Sequence, residues 1–136
     1  MTPLLFRGKR QDNDEWITES GIIHDDELTT RISILDVMSG EFEDVQSMTV
    51  SQFTGLYDCN GREIFENDVV QCSSLTGVVM WHPYMTCFFI NADGKKPTIN
   101  YTCATLGEMW KSYRNDITVI GNVFQPEFAD GKWKEL

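Results

Sequence analysis

The sequence predicts a mainly β protein, a small barrel or roll that carries one short helix. Three observations lead there. Apolar side chains alternate with polar ones in many short runs, and clusters of Gly, Asn, Asp and Pro interrupt those runs every few residues. Helical spacing appears in one stretch only, after Thr105. Strands never alternate with long helices, so an α/β fold is excluded.

Leu4–Arg10 and Glu15–Thr18 flank the turn formers Gln11-Asp12-Asn13-Asp14, which reads as a hairpin with Trp16 as its large apolar residue. Gly21-Ile22-Ile23 leads into His24-Asp25-Asp26-Glu27, four polar groups that belong in water. Ile32 and Ile34 mark a strand over residues 30–38. The acidic, weakly periodic residues 41–47 read as a loop.

A β-branched and aromatic run, Met48–Thr54, continues through Gly55-Leu56-Tyr57 to Asp58-Cys59-Asn60-Gly61, where Asn60 and Gly61 tolerate the positive φ of a tight reversal. Arg62–Phe65 and Val69–Cys72 read as strands around a second turn, Glu66-Asn67-Asp68. Thr76–Trp81 and Thr86–Ile90 read as a hairpin around His82-Pro83-Tyr84-Met85. Asn91–Pro97 reads as an exposed turn and Ile99–Cys103 as one more strand. Thr105-Leu106-Gly107-Glu108 has the form of a capping box. Leu106, Met109, Trp110 and Tyr113 then share a helix face, although Gly107 weakens that helix. Ile117–Phe124 reads as the final strand, and the tail after Pro126 is expected to be ordered where Phe128 or Trp133 docks.

Length and charge bound the function. At 136 residues the chain suits one domain of modest core. It carries 21 acidic and 11 basic side chains, a formal charge of −10. The first fifty residues hold 11 acidic and 4 basic groups, net −7, and the remainder 10 and 7, net −3. An acidic surface repels phosphate backbones and anionic lipids, which sets the chain against direct nucleic-acid binding and against membranes. Basic partner proteins stay open. In the apolar stretch Met1–Phe6 the cations follow instead of preceding, so no signal peptide is expected and the location is expected to be the host-cell cytosol.

Cys59, Cys72, Cys87 and Cys103 form no C-x-x-C pair, which argues for free thiols and against zinc. Asp58, Asn60, Glu63, Glu66 and Asp68 lack the ordered ligands of a calcium loop, so Asp58, Asn60, Gly61, Asn67 and Asp68 are read as turn-shaping residues. His82 with Cys87 or Cys72 would make a nucleophile pair, but no neighbouring residue supplies an activating third group, and His82 reads as a surface or half-buried histidine. His24, beside three carboxylates, reads as part of a solvated loop. Neither a catalytic residue nor a metal or cofactor is expected. Trp81, Tyr84, Phe88, Phe89, Trp110, Tyr113 and Trp133 read mainly as core, with Trp81, His82 and Tyr84 as an interaction patch wherever that aromatic surplus is exposed.

The block Thr49–Val70, TVSQFTGLYDCNGREIFENDVV, resembles the central motif of the YopX family of phage and prophage proteins. Phe6-Arg7-Gly8-Lys9 with Glu15-Trp16, Gly77–Trp81 and Val119–Phe124 agree in order, so the likeness spans nearly the whole chain. Ser51 and Asn67 stand where the family pattern has Gly. Asn67 can hold a left-handed turn, and Ser51 is expected in extended backbone. The resemblance implies an SH3-like barrel over residues 48–136, with an acidic β-rich segment over 1–47 packed on it in one compact unit. It implies phage carriage and no defined activity. The expected role is therefore a non-catalytic interaction module, with an unknown protein partner or a homo-oligomer. An acidic DNA mimic that inhibits a host nucleic-acid-binding protein ranks second, and a small hydrolase or metal enzyme ranks last.

Overall fold

Alternation builds the strands that it predicts. In the computed structural model, which describes residues 4–135, the chain is mainly β, with eleven strands and one α-helix among those residues. Met1-Thr2-Pro3, the start of the apolar N-terminal stretch, lies outside the described residues. No helix among them is long and apolar enough to cross a membrane. The chain divides into two compact units, Met1–Gly55 and Leu56–Leu136, and passes from one to the other within a strand.

In the first unit, β1 (Phe6–Lys9) pairs antiparallel with β2 (Trp16–Ser20) and with the start of β6 (Ser51–Tyr57). Trp16 lies under two cations, Arg7 Cζ at 5.0 Å and Lys9 Nζ at 5.8 Å from its ring. β3 (Ile23–Asp26), β4 (Arg31–Asp36) and β5 (Glu41–Val45) form an antiparallel meander. Ile17, Ile34 and Val45 are the buried centre of this unit. His24 and Asp25 are exposed, as expected, but on the outer strand β3 and not in a loop. Ser51 is extended and buried.

β5 corrects the loop expected over 41–47. Its acidity is tolerable in a strand because two arginines face it: Arg31 pairs with Asp44, and Arg10 Nη2 lies 3.3 Å from Glu43. Ser33 Oγ also donates to Asp44 at 2.9 Å. These bonds, the Arg31 guanidinium first, hold the Asp44 carboxyl below its ordinary value of 3.8. A carboxyl lowered by folding adds stability that is complete above that ordinary value and fades as the pH falls through the lowered one. Asp44→Asn is accordingly expected to flatten the acid limb of an unfolding-midpoint profile below about pH 4. An acid limb identical to the wild type's would refute this.

In the second unit, β7 (Glu63–Phe65) follows the loop after β6. A four-stranded antiparallel sheet then takes the order β10 (Cys87–Asn91), β9 (Leu75–His82), β8 (Asp68–Cys72), β11 (Thr118–Asn122). It is a curled half-barrel, compatible with the SH3-like expectation. Period two sends alternate residues to opposite faces, and both faces are covered. Val70, Cys72, Val79 and Val119 pack under α1 (Leu106–Tyr113) with Ile64, Leu106 and Ile117. Val69 and Val78 pack on the other side against Phe128 and Trp133 of the C-terminal tail, which docks where expected. Gly77 admits a close crossing: a Cβ there would lie 2.8 Å from the Asn91 carbonyl oxygen.

The capping box of α1 is complete. Thr105 Oγ1 accepts from Glu108 N at 3.0 Å, and Glu108 Oε1 accepts from Thr105 N at 3.2 Å. Trp110 Nε1 then pins the helix by donating to Tyr57 O at 2.9 Å. The strand expected over 99–103 is absent. Ile99 is exposed, and the chain bends instead through a Tyr101 N to Thr98 O bond.

Candidate interaction site

The two turns singled out in the sequence are held by buried carboxylates. Asp58 Oδ1 accepts from the N–H groups of Asn60 and Arg62, each at 2.9 Å, which fixes the reversal locally. Its Oδ2 accepts from Val119 N at 2.9 Å and so ties the loop to β11. Gly61 takes the positive φ of 79°, and Asn60 does not, so one left-handed residue suffices for this reversal. Asn67 has φ of 72°, and its backbone bridges β9 and the end of β11, donating to Val79 O at 2.8 Å and accepting from Val123 N at 3.0 Å. Asp68 Oδ2 accepts from Phe65 N at 2.8 Å. A buried carboxyl group must be hydrogen-bonded, and these bonds satisfy it.

His82 is a correction. It was expected at the surface of the patch, yet it is fully buried at the end of β9. Its ring lies edge-on to Phe89, with centroids 5.5 Å apart, and against Tyr101 at 5.8 Å. Nδ1 accepts from Tyr84 N at 3.2 Å and Met85 N at 3.1 Å, so it carries no proton. Nε2 therefore bears the hydrogen and donates to Tyr101 O at 2.8 Å. Cys87 stands opposite His82 across the hairpin, but neither ring nitrogen is turned to it as a base. Burial pushes the Cys72, Cys87 and Cys103 thiols up, with Asp116 acting on Cys72 and Glu108 on the other two. A raised thiol is a poor nucleophile at neutral pH.

Around this buried post the hairpin turns its aromatic surplus outward. Trp81 is 43% exposed, Tyr84 58% and Met85 36%. Trp81 packs edge-on against Phe88, its cross-strand partner, with centroids 5.1 Å apart, which fixes its orientation. Phe89 and Trp133 belong to the core instead. His24 lies exposed on β3, and no group of three His, Cys, Asp or Glu among the described residues is arranged to hold a metal ion. Sequence reading missed Tyr101 and Asn91. Tyr101 supplies the acceptor that orients His82, and a buried Asn91 braces the loop after β10. Nothing local announces either, because each acts on a partner displaced in the chain or hidden in a turn.

Fold and site together define a small mainly β protein whose buried polar groups serve its turns and whose hairpin presents an aromatic patch. The chain belongs to the YopX family: the family model described as YopX protein matches residues 5–127. No curated protein matches the chain.

Proposed function

We propose that this chain is a non-catalytic protein-interaction module, a phage or prophage accessory protein working in the host cytosol, and that it engages a partner through Trp81, Tyr84 and Met85. The observation that supports this is the division of labour at the hairpin. His82 is spent on three backbone groups, and the three neighbours it organises face outward. Large side chains held by a rigid turn lose little entropy on binding, which is how interface anchors work. The acidic-mimic alternative has less support, since Arg10 and Arg31 already pair with Asp12, Glu43 and Asp44.

The test is capture of partners from host cytosol at low and high salt by the wild type and by Trp81→Ala/Tyr84→Ala, with size determination of both purified proteins. An apolar contact holds at high salt and is lost, about tenfold or more in affinity, in the double variant. Self-association that disappears in the variant would identify the partner as a second copy. No partner held at high salt by the wild type, or a salt-resistant partner that binds the variant equally well, would refute the proposal.

A further inference from the structure

In a chain of formal charge −10, three lysines converge on one apolar cleft. The cleft has a volume of about 390 Å³ and lies wholly within the second unit. Its floor is Val78, Met80, Val123 and the buried Trp133. Lys95 and Lys96 enter from the loop after β10, and Lys134 from the tail. Among the described residues no carboxylate lies within ion-pair distance of any of the three.

The rim is built and not merely decorated. Asn91 accepts from Gly94 N at 2.8 Å and donates to Lys95 O at 2.8 Å, while Asp93 accepts from Lys95 N at 2.8 Å, so the loop carrying two of the ammonium groups is braced on both sides. Lys134 Nζ lies 5.7 Å from the centroid of the Trp133 ring. The end of its side chain crosses directly over Gly94, close enough that a side chain there would displace it. A left-handed φ of 72° favours glycine at 94. The tail that brings Lys134 is itself anchored by Phe128 and Trp133 against β8 and β9.

Gathering like charges over an apolar floor costs free energy unless an anion neutralises them. We infer that the cleft is a docking site for an acidic peptide segment of a partner protein, with one apolar side chain on the Val78–Met80–Val123 floor and flanking carboxylates on Lys95, Lys96 and Lys134. The volume matches sites that enclose a side chain or two, and charge complementarity selects the flanks. A long polyanion such as nucleic acid fits poorly, because beyond three ammonium groups it meets a surface with excess carboxylate. This surface is separate from the Trp81 patch, so either proposal can fail without the other.

The test is selection from a random short-peptide display library on the immobilised full chain, followed by titration of a recovered, synthesised peptide. Expected are peptides enriched in Asp and Glu around an aromatic or aliphatic residue. Their affinity should fall at least about tenfold in Lys95→Glu/Lys96→Glu/Lys134→Glu, less in the matching Gln variant, and with rising salt. Both variants should remain folded, with cooperative unfolding and midpoints close to the wild type's, since all three side chains are exposed. Peptides without acidic bias, equal binding by the Glu variant, or no enrichment at all would overturn the inference. So would a single-stranded oligonucleotide that displaces the peptides at equal concentration.

Discussion

Replacing His82 by alanine should lower stability by about 3 kcal/mol, on the order of 10 °C in Tm, without a change in the denaturant slope. Two effects add. Removing a fully buried ring leaves a cavity beside Phe89 and Tyr101. The change also strands the Tyr84 and Met85 N–H groups and the Tyr101 carbonyl, three backbone groups that share one imidazole. His82→Gln keeps an acceptor and a donor on a longer stem and should recover part of the loss. Thermal and urea unfolding of the three proteins measures this directly. A His82→Ala protein as stable as the wild type would show that the ring is not the post that holds the hairpin. It would also reopen the reading in which His82 is kept for chemistry.

Asp58→Ala is the second large effect, an expected loss of about 2–4 kcal/mol. The Asn60 and Arg62 N–H groups sit in a loop where water can replace the carboxylate. The Val119 N–H is within β11 and cannot be rehydrated there, so most of the cost should come from that one bond. Asp58→Asn offers an acceptor to one side only and should fall between the two. Urea midpoints decide the order. Hydrogen exchange should show the Val119 amide opening first in the alanine variant. If Asp58→Ala unfolded at the wild-type midpoint, the carboxylate would not be structural, and its burial would need another explanation.

These expectations divide by the range over which each residue acts. The turn at Asp58–Gly61 was legible because its signal is local: Asp, Asn and Gly act on backbone within four residues. The left-handed turn at Asn67 and the helix cap at Thr105 were legible for the same reason. Residues 41–45 misled because their composition is that of a loop. Arg31 and Arg10, which make a strand of them, come from elsewhere in the chain. His82 misled because a polar residue between two exposed aromatic ones reads as exposed, yet the twofold alternation of β9 turns it inward beside Phe89.

What the sequence determined alone was therefore the β class, the positions of the reversals, the single capped helix and the family. Each is encoded in short windows where backbone preference and side-chain period act without help. Only the tertiary structure decided which partners those pieces found: Asp58 with Val119, His82 with Tyr101, and Lys134 across Gly94 beside Lys95 and Lys96. Such pairings close long loops, and the entropy of closing them is repaid by the whole core at once, so no local pattern can specify them.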